Sequence, residues 1–122
     1  MNTRALGRLA EDVAALFLTL SGHEVLARGY VFRGHEIDIV SRVGGRVVFV
    51  EVKFRRTRGR GLPREAVDAR KRRRIAFAAR GFLAERGLGD CACRFDVVEL
   101  DLKPGGLTLE VRHVPGAFGL DW

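Results

Sequence analysis

The sequence predicts an α/β domain in which two helices flank a mixed, central β-sheet, in the order α-β-β-β-α-β-β. Apolar residues recur at spacings of three and four near the N-terminus and again after residue 64, as is typical of amphipathic helices. Between and after these segments lie runs of alternating or continuous apolar residues, as expected of strands. A length of 122 residues suits one domain, predicted over residues 1–122.

The first helix is predicted over about residues 3–20, with Thr3 as its N-cap and Gly22 as its stop. A short strand follows at about residues 25–28. The apolar stripe that predicts the helix consists of Leu6, Leu9, Val13, Leu16, Phe17 and Leu20.

The second strand is predicted to carry carboxylates on one face, because Glu36 and Asp38 alternate with Ile37 and Ile39. A turn with two glycines then leads to a strand over residues 46–54. That strand is apolar on both faces, which places it in the centre of the sheet.

A loop rich in glycine and arginine separates this strand from the second helix, predicted over residues 64–86. Strands over residues 94–102 and 107–114 complete the domain, joined by the turn sequence KPGG. The predicted buried stripe of the second helix is Val67, Ile75, Ala78, Ala79, Phe82 and Leu83.

Positive charge is concentrated in one segment. The chain has 22 Lys and Arg against 15 Asp and Glu, a net charge of +7, and residues 53–74 alone carry a net charge of +9. This clustering favours a polyanionic partner over a uniformly basic, solubilising surface, which is the alternative. The residues predicted to contact nucleic-acid phosphates are Arg55, Arg56, Arg58, Arg60, Lys71, Arg72 and Arg73.

No apolar run approaches the roughly 20 residues of a membrane span. The N-terminal segment contains Glu11 and Asp12 where a signal peptide would be uninterrupted and apolar. We therefore expect a cytoplasmic protein without a membrane partner, in which Cys91 and Cys93 are reduced.

The sequence VFVEVKFR, residues 48–55, carries the strongest chemical signal. Glu51 and Lys53 leave the same face of a strand, roughly 6.6 Å apart, and a neighbouring strand about 4.8 Å away carries Asp38. Two carboxylates with the Val52 carbonyl form a partial oxygen shell that suits Mg²⁺ or Mn²⁺, and the Lys53 ammonium can orient an attacking water. This combination indicates phosphodiester hydrolysis; the alternative is a structural ion-pair network.

The sequences GHEIDIV and VFVEVKFR, with GRLAE before them and GLPREAV, CRFDVV and a late AF after them, resemble the YraN family of bacterial proteins, also called UPF0102. The resemblance implies membership of the restriction-endonuclease-like PD-(D/E)xK nuclease superfamily, to which that family belongs, and similarity to archaeal Holliday-junction resolvases. The resemblance implies that Asp38, Glu51 and Lys53 form the nuclease constellation and that Glu11 is a fourth member. His35 stands where the family often has glycine.

The leading hypothesis is therefore a metal-dependent endonuclease acting on DNA, including branched DNA. A nucleic-acid-binding module that keeps the fold without the chemistry is the alternative, and a protein that docks on RNA is a third possibility. A junction resolvase needs two active sites, so a homodimer is expected if junctions are the substrate.

Overall fold

The computed structural model of the protein describes residues 2–56 and 68–119. The predicted order α-β-β-β-α-β-β is confirmed. The elements are α1 (Thr3–Leu20), β1 (Glu24–Phe32), β2 (His35–Val43), β3 (Arg46–Arg56), α2 (Ala69–Glu85), β4 (Cys93–Leu102) and β5 (Leu109–Val114). Strand β1 is longer than predicted, because it continues to the tight turn that leads into β2.

The five strands form one sheet in the order β1-β2-β3-β4-β5. Among the strands of the described residues, only β3 and β4 pair in parallel, and α2 lies between them in the chain, so the sheet is mixed as predicted. Helix α1 packs on one face and α2 on the other. Strand β3 is central and contributes Val48 and Val50 to the core under α1, and Val47 and Phe49 to the core under α2.

The predicted bounds of α1 are confirmed, but its predicted inward face is only partly correct: Leu6, Val13 and Phe17 are half-buried, and Val13 packs against the core. Leu9, Leu16 and Leu20 are exposed by 48%, 60% and 79%. The helix instead turns small residues to the sheet, and alanines allow a closer approach of helix and strands than leucines would. The buried residues of α1 are Ala10, Ala14, Ala15 and Leu18.

The helix N-termini also differ from the prediction. Asn2, rather than Thr3, caps α1, because its Oδ1 accepts the Ala5 N–H at 2.8 Å. Helix α2 begins at Ala69, later than predicted, because the Asp68 carboxylate caps it by accepting the Lys71 N–H at 2.8 Å. The predicted core position Val67 lies outside the described residues; the other five predicted core residues of α2 are buried.

Neither α1 nor α2 is long and apolar enough to cross a membrane, as far as the described part of the chain goes.

Candidate functional site

Asp38 lies where the regular pairing of β2 with β3 stops. The last pair of the ladder joins Ile39 to Val50, and Asp38 comes directly beyond it. Its Oδ2 accepts the backbone N–H of Val52 at 2.8 Å, so a side chain replaces the backbone acceptor that a continued ladder would supply.

The predicted alternation along β2 breaks at the same residue. Ile37 packs in the core cluster under α2, whereas Ile39 packs in the cluster under α1, although the two are only two residues apart. An unbroken strand would place both on one face. Because the phase changes at Asp38, this carboxylate lies between the two helix-covered faces and borders clefts on both sides.

Three carboxylates meet at this point. One carboxylate oxygen from each of Glu11, Glu36 and Asp38 lies within 4.8 Å of the others, and we refer to these residues as the acidic cluster. Glu11 comes from α1 and also accepts the Arg28 Nε–H at 3.3 Å. The position of Glu11 is therefore the one that the family resemblance implied, close to Asp38. Glu36, which the sequence placed on the same strand face as Asp38, is exposed and belongs to the cluster.

The surroundings of Asp38 make its ionised form costly. Burial, followed by the negative charges of Glu51, Glu11 and Glu36, raises the pKa of Asp38 from 3.8 to about 7, against the opposing effect of the Val52 N–H. A positive charge bound among these carboxylates would reverse the repulsion. Oxygen donors of this kind are those that Mg²⁺ and Mn²⁺ prefer.

Glu51 is the other carboxylate of the predicted motif, and it is 7% exposed. Its Oε1 forms an ion pair with the Nζ of Lys71 on α2. Burial alone would lower the pKa of Lys71, but the hydrogen bond and charge of Glu51, together with the charge of Asp38, raise it. Lys71, predicted as a phosphate contact, is thus the counter-ion of Glu51.

Lys53 is half-buried on β3 and lies opposite Glu99 of β4 in the strand register. It lines neither of the clefts that meet at Asp38, as judged from the residues described. Its role in orienting water stays a prediction from the sequence.

Two clefts border Asp38. The α2 cleft, of about 490 Å³, lies between the β1–β2 turn and the first turns of α2 and includes Glu51 and Lys71. The α1 cleft, of about 310 Å³, lies between the start of α1 and the end of β3 and includes Glu11 and Val52. Asp38 and the acidic cluster therefore stand where the two clefts adjoin.

Arginines that the sequence interpretation did not select line both clefts. Arg4 and Arg8 line the α1 cleft, and Arg70 and Arg74 line the α2 cleft; all four are exposed. The signal that could have found Arg4 and Arg8 is their spacing from Glu11, since residues at i, i+4 and i+7 share a helix face.

The other predicted phosphate contacts are dispersed. Arg55 is half-buried and Arg56 exposed at the end of β3, Arg73 is exposed on α2, and Arg58 and Arg60 lie outside the described residues. The Arg72 guanidinium stands 5.4 Å from the ring centroid of Phe118, so it packs against the C-terminal segment.

A second polar network, which the sequence interpretation missed, lies on the α1 side of β4. Asp96 is fully buried and accepts hydrogen bonds from the Arg94 guanidinium and from the Gly116 N–H. Its Oδ2 lies 2.7 Å from the Nε2 of His113. Nearby His23 is buried, with its Nδ1 2.9 Å from the Ser41 hydroxyl. None of these residues lines the clefts, and the network ties the C-terminal segment to the sheet.

The comparisons with known proteins give one family. The model of the uncharacterised protein family UPF0102 matches residues 10–100. A UPF0102 protein of Symbiobacterium thermophilum is 47% identical over 116 residues, covering 95% of this chain and 98% of the relative. One from Desulforapulum autotrophicum is 46% identical, covering 95% and 94%, and one from Geobacter sulfurreducens is 41% identical, covering 98% and 92%.

Proposed function

The chain belongs to the uncharacterised protein family UPF0102, and we propose that it is a metal-dependent endonuclease that cleaves phosphodiester bonds of DNA, including branched DNA. One observation carries this proposal. The acidic cluster of Glu11, Glu36 and Asp38 lies where two clefts lined with exposed arginines meet. Carboxylates that hold a cation, next to arginines that hold phosphates, are the elements phosphodiester hydrolysis needs.

The residues fit a divalent metal ion. Glu11, Glu36 and Asp38 would hold it, because they offer three oxygen ligands within 4.8 Å of one another. The pKa of Asp38, raised to about 7 first by burial and then by the charges of Glu51, Glu11 and Glu36, also supports this assignment, since a cation bound there would offset the cost of ionising Asp38. When bound, Mg²⁺ or Mn²⁺ polarises a phosphoryl oxygen and lowers the pKa of bound water.

The remaining residues position the substrate. Arg4 and Arg8 on one side of Asp38, and Arg70 and Arg74 on the other, neutralise phosphates and orient the strand without reading its bases. Lys71 keeps a positive charge beside the acidic cluster and holds Glu51 in one position.

The test is cleavage of linear, flapped and four-way-junction DNA with Mg²⁺ or Mn²⁺ by wild type, Asp38→Asn and Glu11→Gln. Glu24→Gln is the matched control, because Glu24 is an exposed carboxylate that lines neither cleft. We expect cleavage that requires metal and falls by about 10²-fold or more in both cluster variants. Cleavage that Asp38→Asn retains in full would contradict the assignment.

The Glu51–Lys71 ion pair favours a second candidate, a DNA-binding module without catalysis, because it already neutralises a carboxylate that the nuclease motif would use. A pure binder should bind DNA without metal and lose affinity steeply with salt. It should also bind as tightly, or more tightly, after Asp38→Asn, which removes a negative charge from the cleft. Binding to RNA of equal strength would point to the RNA-docking hypothesis.

A further inference from the structure

An aromatic cluster stands at the edge of the α2 cleft. The Phe77 ring centroid lies 5.4 Å from that of Phe32 and 5.3 Å from that of His35, and the planes of Phe77 and His35 are nearly perpendicular. Phe77 is 41% exposed, and it is the one aromatic among the large apolar side chains exposed in the described part of the chain. We call Phe32, His35 and Phe77 the aromatic rim.

The aromatic rim packs on helix α2 through Phe32. Phe32 packs directly on the backbone of α2 at Gly81, where an added Cβ would come within 2.4 Å of its ring. Glycine inside a helix costs about 1 kcal/mol relative to alanine, so the close contact with Phe32 explains why it occurs there. Phe77, one turn before Gly81, therefore packs beside a ring that is itself in close contact with the α2 backbone, while part of its own surface is open to solvent.

Positive charge surrounds the aromatic rim. Arg70, Arg74 and Phe77 follow one another at i, i+4 and i+7, so α2 presents them on one side. Across the cleft, the β1–β2 turn has positive φ at both Arg33 (48°) and Gly34 (81°), as tight hairpin turns require. This turn holds the Arg33 guanidinium 5.3 Å from the Phe32 ring centroid.

We propose that Phe77 stacks on an unpaired base, so that the α2 cleft takes a nucleic-acid strand with a single-stranded segment, such as a flap or splayed arm. This rests on the proposed function and narrows its substrate class. In a duplex, base faces are covered by their neighbours, whereas an unpaired base offers a free face to an aromatic ring. The arginines on α2 supply the accompanying phosphate contacts, which a protein partner would not need.

The experiment measures binding without metal, so that cleavage does not enter the result. Binding is measured in EDTA with oligonucleotides that carry 2-aminopurine either in a single-stranded flap or in a blunt duplex. The proteins compared are the wild type, Phe77→Ala, Phe77→Tyr and Leu16→Ala. Phe77→Tyr keeps the ring. Leu16 is a comparable exposed apolar side chain on α1, and it lines neither cleft.

We expect Phe77→Ala to weaken binding of the flap by about 5- to 150-fold, the loss of one base–aromatic stack, and to abolish quenching of the flap fluorophore. Binding to the blunt duplex should change less than twofold, and Phe77→Tyr and Leu16→Ala should behave like wild type. Equal losses for flap and duplex, no loss for either, or a change in oligomeric state by sedimentation on Phe77→Ala would overturn the inference.

The two proposals fail separately. If metal-dependent cleavage is found but Phe77→Ala binds the flap normally, the nuclease stands and base stacking is wrong. If Phe77→Ala loses the flap selectively but no preparation cleaves DNA with Mg²⁺ or Mn²⁺, the stacking site stands and the nuclease is wrong.

Discussion

Replacing Asp38 with asparagine should stabilise the protein at neutral and alkaline pH. The pKa of Asp38 is raised from 3.8 to about 7 in the folded protein, first by burial and then by Glu51. The unfolded chain therefore releases this proton at a lower pH than the folded protein does. As pH rises from about 4 to 7, ionisation favours the unfolded chain, so the stability of the wild type falls.

The size of the effect follows from the two pKa values. A difference of about three pKa units corresponds to about 4 kcal/mol, because each unit is 1.36 kcal/mol. That figure is an upper limit, since the Glu51 charge responds to Asp38 and to Lys71. Asparagine removes the charge but keeps an oxygen that can accept the Val52 N–H. We expect Asp38→Asn to be about 1–4 kcal/mol more stable at pH 8 and close to wild type at pH 4.

Urea unfolding at several pH values between 4 and 8 measures this difference. Asp90→Asn is the matched control, because Asp90 is exposed in the loop before β4, and surface changes of this kind stay within about 0.5 kcal/mol. At pH 8, Mg²⁺ should stabilise the wild type, by about 2.7 kcal/mol at one hundred times its dissociation constant, and leave Asp38→Asn unchanged. A variant no more stable than wild type at pH 8, or one whose advantage grows on acidification, would refute the reasoning.

Three further predictions concern packing, the ion pair and phosphate contact. Gly81→Ala should destabilise the protein by about 1–3 kcal/mol in urea unfolding, because the new methyl group would clash with the Phe32 ring. Lys71→Met should cost about 1–2 kcal/mol, since it leaves the buried Glu51 carboxylate without its partner, although the exposure of Lys71 reduces the effect. Arg74→Gln should reduce the salt dependence of DNA binding by about one unit of slope, the contribution of one phosphate.

Each of these has its own control. Gly7→Ala, in α1, meets nothing within 4 Å and should stabilise the helix by up to about 1 kcal/mol, so equal effects at Gly7 and Gly81 would contradict the packing argument. The double variant Glu51→Gln with Lys71→Met should lose less than the sum of the single variants, and strict additivity would mean that the pair is not coupled. Arg112→Gln, on the edge strand β5, should leave the salt slope unchanged.

The elements of this fold follow from local patterns, but their orientation does not. The period of apolar residues located α1 correctly, because periodicity is a property of neighbouring residues. It located the inward face only in part, since Val13 packs on the core. Leu9 and Leu16 are more apolar than Ala10 and Ala14 but too large for the close contact with the sheet. A pattern of hydrophobicity contains no information about how close the neighbouring layer comes.

The acidic cluster illustrates the same limit at the site. A regular strand would put Asp38 opposite Glu51, and that assumption selected the Asp38, Glu51 and Val52 ligand set. The ladder ends before that pair, yet Glu51 is still the first charge that raises the pKa of Asp38, so this ligand set stays a prediction. What the strand pattern did not predict is that Asp38 also lies close to Glu11 on α1, a residue that only the family resemblance had selected.

Glu51 faces α2 because it continues the face of β3 on which Val47 and Phe49 pack under that helix, and Lys71, 20 positions later in the sequence, neutralises it. Neither contact could be read from spacing, because each depends on where two helices cross the sheet. Asp38 consequently borders both clefts, so a strand bound on either side of the sheet would meet the same carboxylate. A substrate whose strands diverge, with one strand in each cleft, would contact both pairs of cleft-lining arginines at the same time.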